Sequence, residues 1–167
     1  MNVRMPTQSQ PIGNPIELME RFVDINDWRL HHASPDEICV EVPGKWSDYN
    51  MTLTYQERFA ALHVNVLLDI FILDQQFDAA REVIATLNHN IWMGHFDLIA
   101  KDGSVLFRHN LPLRGTGGAT PEQMEDLVDI TLGECERAYP ALFQIATGVV
   151  SAEMATATVL METVGSA

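Results

Sequence analysis

Three histidines and two aspartates fall on the polar positions of predicted strands and could together ligate a metal ion: His31, His63, His95, Asp69 and Asp97. Zinc needs three or four such ligands converging at about 2.0–2.2 Å from one point. No two of these residues have the close spacing of a paired ligand motif. We therefore predict no metal site and no cofactor, and a metal-dependent enzyme is the weakest alternative for the function.

A glycine-rich stretch, Arg114-Gly115-Thr116-Gly117-Gly118, runs into a predicted helix start and resembles a phosphate-binding loop. It lacks the Gly-Lys-Ser/Thr ending of such loops. Glu122, in the first turn of the helix, would also repel a phosphate. The sequence therefore predicts a flexible linker at this position.

The two cysteines do not resemble nucleophiles or metal ligands. Cys135 lies in an acidic helix, which raises the pKa of a thiol, and Cys39 lies between Glu37 and Glu41 on a strand. Two cysteines also form no disulfide framework, which predicts free thiols in a reducing cytoplasm. We predict no catalytic residues and no enzymatic activity.

Apolar residues at positions that should be exposed indicate a binding surface more strongly than the histidines, glycines or cysteines indicate chemistry. Leu67 and Phe71 occupy the otherwise polar side of their strand, and methionine in a helical stripe can mark an adaptable docking surface. The candidate interaction surface comprises Trp46, Leu67, Phe71, Ile99, Leu106, Met154 and Met161. Two alternatives remain open: four of these residues form an apolar patch on the second face of a sheet, or the last helix or a loop covers them.

Composition limits the classes of partner. The 167 residues suit one domain, and a hydrophobic content of 47% is ordinary for a globular protein. A net charge of −13 would repel nucleic acid and anionic membranes. Residues 1–13 are predicted to be a flexible arm with no continuous apolar core, and residues 14–167 a single domain. With no apolar run of membrane-spanning length, a cytoplasmic location is expected.

The stretch from Phe77 to Asn110 organises the predicted fold. Its apolar residues first recur at alternating spacings of three and four, which predicts an amphipathic helix ending at Gly94. Asp102-Gly103 then predicts a β-hairpin with a two-residue turn. In that register Asp97 lies opposite Arg108.

The remaining elements follow from period-two alternation and from capping motifs. Four alternating segments between residues 28 and 72 predict antiparallel strands with one buried face. Asn14-Pro15 and Thr120-Pro121 predict two helix starts, and Pro140 is predicted to break the second helix. A last helix is predicted over residues 151–164. The fold class is therefore α+β, with a single antiparallel sheet covered on one face by helices in the order α-β-β-β-β-α-β-β-α-α.

Several of these segments resemble, in the same order, the YbjN family of bacterial proteins. They include Gly44-Lys45-Trp46-Ser47-Asp48-Tyr49, Ile91-Trp92-Met93-Gly94-His95-Phe96-Asp97-Leu98 and Cys135-Glu136-Arg137-Ala138-Tyr139-Pro140-Ala141. The resemblance implies a fold similar to type III secretion chaperones, which usually form dimers, and a role in regulating sensory transduction. The extra strand and extra C-terminal helix predicted here depart from the minimal chaperone layout.

The function predicted from all of this is a non-catalytic binding module, a chaperone-like adaptor or regulator that acts through protein–protein contacts. Its expected partner is a protein, and a homodimer is also expected. The alternative is a small-ligand sensor with its ligand in a crevice between helices and sheet.

Overall fold

The structure, a computed structural model, describes residues 13–149, 151 and 153–157. Within this range the principal helices are α1 (Pro15–Asn26), α2 (Phe77–Asn90) and α3 (Pro121–Ala146). The strands are β1 (Arg29–Ala33), β2 (Glu37–Pro43), β3 (Asp48–Gln56), β4 (Ala61–Phe71), β5 (His95–Leu98) and β6 (Ser104–Pro112). Short 3-10 turns lie at Glu57–Phe59 and Asp74–Gln76.

All six strands belong to one sheet in the order β1-β2-β3-β4-β6-β5, and each neighbouring pair is antiparallel. The first four strands follow one another as a meander. Helix α2 then carries the chain to the far edge, so that β5 is an edge strand and β6 returns between β5 and β4. The predicted α+β class with a single antiparallel sheet is confirmed.

The core lies between one face of the sheet and the helices. Helix α1 contacts β2 and β3, α3 contacts β4 and β6, and α2 contacts β5, while α3 touches both other helices. Alternate strand residues are buried beneath them, among them Met51, Leu53, Val64 and Val66. The residues between these point to the opposite, open face, because side chains alternate along a strand.

The hairpin loop between β5 and β6 differs from the prediction. A two-residue type I′ turn needs positive φ at both Asp102 and Gly103, and only Gly103 has it, at 76°. The loop instead comprises residues 100–103, closed by a hydrogen bond of 2.9 Å from the Ile99 amide to the Ser104 carbonyl. The end of β4 holds this arrangement, because the Ile72 amide donates to the Gly103 carbonyl at 2.9 Å.

The longer loop shifts the predicted strand register by two residues. Leu98 pairs with Val105, and Asp97 pairs with Leu106, whereas the prediction paired each with the residue two positions further along β6. A shift of two keeps every side chain on its predicted face, because the strand period is two. The Arg108–Asp97 ion pair therefore persists as a diagonal contact of 3.3 Å.

Both predicted helix starts are confirmed. The Asn14 side chain accepts a hydrogen bond of 2.9 Å from the Ile16 amide at the start of α1. At the start of α3, the Thr120 hydroxyl accepts from the Gln123 amide at 3.2 Å, and the Gln123 side chain accepts from the Thr120 amide at 2.9 Å. These bonds satisfy backbone donors that the helix itself leaves without partners.

The predicted end of α2 at Gly94 is wrong, because the helix stops at Asn90 and Ile91 is already extended. Gly94 does adopt a positive φ of 79°. Gly94 directly precedes β5 and packs against β6, because a Cβ at this position would lie 2.4 Å from the Phe107 ring.

The predicted break at Pro140 is also wrong, since α3 runs without interruption through it. Proline within a helix removes one hydrogen bond and costs about 3 kcal/mol. Residues beyond it, including Leu142 and Ile145, are buried. Burying a side chain of this size contributes about 1.5–3 kcal/mol, so continued packing offsets the cost of the proline.

Replacing Pro140 with alanine is accordingly expected to stabilise the protein by about 1–3 kcal/mol, because it restores a donor to the Glu136 carbonyl. Urea unfolding measures the change. Pro121→Ala is the matched control and should give no gain, since proline at the first helical position has no hydrogen bond to lose. A loss of stability in Pro140→Ala would contradict this account of the helix.

The predictions for the chain termini fall largely outside the described residues. Of the predicted arm, only Gly13 is described, and it forms an isolated bridge with Ala119. Of the predicted last helix, residues 153–157 are helical and Ala155 is buried. No helix in the described part of the chain is long and apolar enough to span a membrane.

Candidate interaction surface

Four of the predicted interface residues lie together on the open face of the sheet. Leu67 and Leu106 are direct neighbours across β4 and β6. Phe71 pairs with Ser104. The Ser104 carbonyl in turn accepts a hydrogen bond from the Ile99 amide, which places Ile99 beside Ser104. We call Leu67, Phe71, Ile99 and Leu106 the open-face patch.

The open-face patch is accessible to solvent. Leu67 exposes 40% and Phe71 exposes 59% of its surface, while Ile99 and Leu106 are half-buried. Among the described residues, no helix or loop covers Phe71 or Leu67. Contiguous exposed apolar residues of this kind mark interaction sites, so the described residues favour the first of the two alternatives left open by the sequence.

The position of the patch follows from strand periodicity. Val66, Leu68 and Ile70 of β4 point into the core and are buried. Leu67 and Phe71 therefore face outward, where a one-sided antiparallel sheet normally carries polar residues. An apolar residue at such a position was the sequence signal for this surface.

Carboxylates border the patch. Asp69 is exposed and lies between Leu67 and Phe71 on β4, and Asp48 lies two residues before the Asn50 that pairs with Leu67. No basic side chain in the described ranges forms an ion pair with either aspartate. The border of the patch on the β3 and β4 side is therefore acidic.

The rest of the open face is polar and holds the histidines considered as metal ligands. His63 is hydrogen-bonded to Asn110 through its Nδ1. His31 lies 3.3 Å from Glu41, and His95 lies opposite Arg108 in the strand register of β5 and β6. Within the described residues, no three His, Cys, Asp or Glu side chains are grouped so as to hold a metal ion.

His109 is the histidine that the sequence did not single out. It pairs with Val64 and thus points toward the helical layer rather than the open face. Burial, with a smaller contribution from nearby His95, lowers the pKa of His109 below its usual 6.5. A histidine in the core layer therefore resists protonation in the folded protein.

Acidification should destabilise the protein in part through His109. Below about pH 6.5 the unfolded chain binds a proton at this residue and the folded chain does not, so stability falls as the pH falls. His109→Gln should reduce the loss of unfolding free energy between pH 7.5 and 5.5, measured with urea. The exposed His32→Gln is the control, and an identical pH slope in His109→Gln and the wild-type protein would refute the assignment.

Trp46 lies apart from the open-face patch, beside a second feature. It lines a cavity of about 350 Å³ together with Tyr139, Pro140, Phe143 and Gln144 of α3. The Tyr139 and Phe143 rings are stacked with centroids 6.0 Å apart. The structure thus divides the predicted interaction surface, because Trp46 faces the helical layer.

The two methionines of the predicted surface do not join the patch in the described structure. Met154 is exposed at 55% within the short helical segment 153–157. Met161 lies outside the described residues. Their place in an interaction surface stays a prediction.

The outer edge of β5 is closed by a side chain that the sequence analysis missed. The Phe96 amide donates to Asn88 Oδ1 at 2.7 Å, and Asn88 Nδ2 donates to the Phe96 carbonyl at 3.0 Å. Asn88 thus occupies the hydrogen-bonding groups that an added strand would need at Phe96. No local pattern identifies such a contact, because it joins a helix to a strand eight residues later.

Trp92 is the most exposed large apolar residue of the described chain, at 97%. It lies between α2 and β5, next to Met93, which is also exposed. Tryptophan is enriched at protein interfaces, so Trp92 is a second candidate contact residue.

The glycine-rich loop and the two cysteines, which the sequence analysis considered for phosphate binding and nucleophilic chemistry, are engaged in contacts within the fold. The Thr116 hydroxyl lies 2.8 Å from the Leu113 carbonyl and 2.7 Å from the Gly118 carbonyl, so internal hydrogen bonds hold the glycine-rich loop. Cys135 is buried, and burial followed by repulsion from its acidic neighbours raises its thiol pKa. Cys39 lies 3.4 Å from the Thr52 hydroxyl on the open face.

Comparison with known proteins gives one family match. The YbjN family model, described as "Putative bacterial sensory transduction regulator", matches residues 15–144. This range includes every principal helix and strand except the last two residues of α3. No curated protein matches the chain.

Proposed function

The chain belongs to the YbjN family, and from that premise we propose that it is a non-catalytic binding module acting as a chaperone-like adaptor or sensory-transduction regulator through protein–protein contacts. The family's description as a regulator supports a role without catalysis. The observation that carries the proposal is the open-face patch on a sheet whose other face is packed against helices.

The geometry suits binding because the patch is carried on strands rather than on a mobile loop. Leu67 and Leu106 are fixed by backbone pairing in the middle of the sheet. Burying a leucine or phenylalanine side chain contributes about 1.5–3 kcal/mol. Leu67 and Phe71 together therefore provide enough apolar surface to anchor a partner without rearrangement of the domain.

Site-specific photocrosslinking in living cells tests this proposal. A photoreactive amino acid at position 71 should form discrete adducts with another protein, which mass spectrometry identifies. The control is the same residue at Ala85, which is exposed on α2 in the helical layer. Indistinguishable crosslinking patterns at the two positions would contradict the proposal.

The proposal includes a homodimer, and the exposure of Trp92 supports it. An indole exposed at 97% loses this unfavourable hydration when a second copy covers it. Light scattering at micromolar concentration should give the mass of a dimer, and Trp92→Ser should shift the equilibrium toward the monomer. Phe59→Ser, at another exposed aromatic residue, should leave the mass unchanged. A strictly monomeric wild-type protein would be evidence against this part of the proposal.

A small-ligand sensor is the second candidate, favoured by the aromatic cavity beside Trp46. Its volume of about 350 Å³ and its three aromatic rings fall within the range of small-molecule sites. Thermal-shift screening against metabolites would detect a ligand as an increase in Tm. Phe143→Ser should abolish that increase if the cavity is the site, and its persistence would place the ligand elsewhere.

A further inference from the structure

The form of the open-face patch restricts what can cover it. The patch lies on a face of the sheet, and an extended strand can pair only with an edge. The nearest edge, that of β5, is closed at Phe96 by the two hydrogen bonds to Asn88. The partner element must therefore lie across the face.

The width of the patch matches one helix. It reaches from Leu67 on β4 across Leu106 on β6 to Ile99 just beyond β5. Two strand spacings amount to about 10 Å, which is also the diameter of an α-helix with its side chains, about 10–12 Å. An amphipathic helix with a single apolar stripe would cover these residues.

The charges around the patch restrict the partner further. Asp48 and Asp69 border it without ion-pair partners in the described part of the chain. Arg108 is paired with Asp97 at 3.3 Å, and the exposed Lys101 lies on the side of the patch away from Asp48, in the loop after β5. A helix with lysine or arginine beside its apolar stripe would complement this border, and the net charge of −13 would increase its rate of association.

A second copy of the chain fits this surface poorly. Two patches facing each other would place four carboxylates, Asp48 and Asp69 of each copy, around one contact, and such an excess of like charge is unfavourable. The homodimer proposed above therefore requires a different surface from the open-face patch.

We propose that the open-face patch binds an amphipathic α-helix of another protein whose apolar stripe is flanked by lysine or arginine. This inference rests on the proposed function and names the class of partner for the same surface.

Synthetic peptides test it on the full-length protein by calorimetry. Two helical peptides of about five turns carry the same leucine stripe, flanked by lysine in one and by glutamate in the other. The lysine peptide should bind about tenfold or more tightly than the glutamate peptide, with a difference that shrinks as salt screens the charges. Leu67→Ser/Phe71→Ser should weaken the lysine peptide about 100-fold.

Two controls separate this site from general attraction to an acidic protein. A lysine peptide with its leucines scattered around the helix should bind weakly. Asp69→Asn should weaken the amphipathic lysine peptide severalfold, whereas Glu82→Gln, which removes an exposed charge on α2, should not. Equal binding of the scattered peptide, or equal effects of the two substitutions, would overturn the inference.

The remaining outcomes distinguish the inference from the proposed function. If position 71 crosslinks to a protein that the lysine peptide does not displace, the class of partner is wrong and the binding function stands. If light scattering shows a dimer that Leu67→Ser/Phe71→Ser dissociates, the patch binds a second copy and the inference is wrong. If position 71 captures nothing in cells, the proposed function fails even if the peptide binds.

Discussion

Gly103→Ala is expected to lower the free energy of unfolding by about 3 kcal/mol, since a left-handed non-glycine residue costs about 1–2 kcal/mol and a broken buried hydrogen bond adds about 1–3 kcal/mol. Gly103 has a φ of 76°, and a Cβ there would lie 2.1 Å from the Ile72 carbonyl oxygen. The chain must move to relieve that contact. The movement disrupts the hydrogen bond from the Ile72 amide to the Gly103 carbonyl.

Gly115→Ala is the matched control for this prediction. Gly115 has a comparable φ of 85°, but a Cβ at this position would meet nothing within 4 Å. It should lose only the conformational part, about 1–2 kcal/mol. Urea unfolding of both variants measures the difference, and equal losses would mean that the hairpin loop does not pack against the end of β4.

The double variant Leu67→Ser/Phe71→Ser is expected to weaken binding of the partner captured at position 71 by about 100-fold, because two apolar anchors are lost. Both side chains are partly exposed, at 40% and 59%, so the free energy of unfolding should fall by about 1–2 kcal/mol, which leaves the domain folded. Binding of the purified partner by calorimetry and urea unfolding measure the two quantities. A loss of binding in a variant that remains folded is the signature of a docking surface.

Leu30→Ser/Phe59→Ser is the matched control for the double variant. Leu30 and Phe59 expose 48% and 61% of their surfaces, close to the values of Leu67 and Phe71. Leu30 lies on β1 at the other edge of the sheet, and Phe59 lies just before β4, at the end opposite Phe71. Equal weakening by the two double variants would assign the loss to general hydrophobicity rather than to the open-face patch.

The sequence predicted the layered architecture because burial on one face imposes regular patterns. Period-two alternation in β2, β3 and β4 and period-3.6 stripes in the helices are consequences of one-sided burial. The two capping motifs at Asn14 and Thr120 are local, and both were confirmed. Patterns of this kind need no knowledge of strand order.

The errors occurred where tertiary contacts override local preference. The hairpin loop has four residues instead of two because the Gly103 carbonyl accepts a hydrogen bond from the Ile72 amide at the end of β4. Helix α3 continues through Pro140 because its last turns are buried. In the hairpin, the contact that determines the structure joins residues that are distant in the chain. In α3, it is the packing of the last turns against the core. The local sequence specifies neither contact.

The candidate site was predicted in part for the same reason. Leu67, Phe71 and Leu106 occupy adjacent strands and Ile99 directly follows β5, and they form an apolar patch because their outward positions follow from the strand period. Trp46 separates from them because the turn after β2 approaches α3, a contact between elements far apart in sequence. Asn88 and His109 were missed because their roles depend on which elements are neighbours.

Radical footprinting of the purified protein and of the same protein in living cells tests the central claim most directly. Phe71 and Phe59 share a residue type and have nearly equal exposure, 59% and 61%. We predict similar oxidation of the two rings in the purified protein, and selective protection of Phe71 in cells. Equal oxidation in cells would contradict the claim that the open face binds a partner, and protection of Phe71 already in the purified protein would contradict the claim that this face is open.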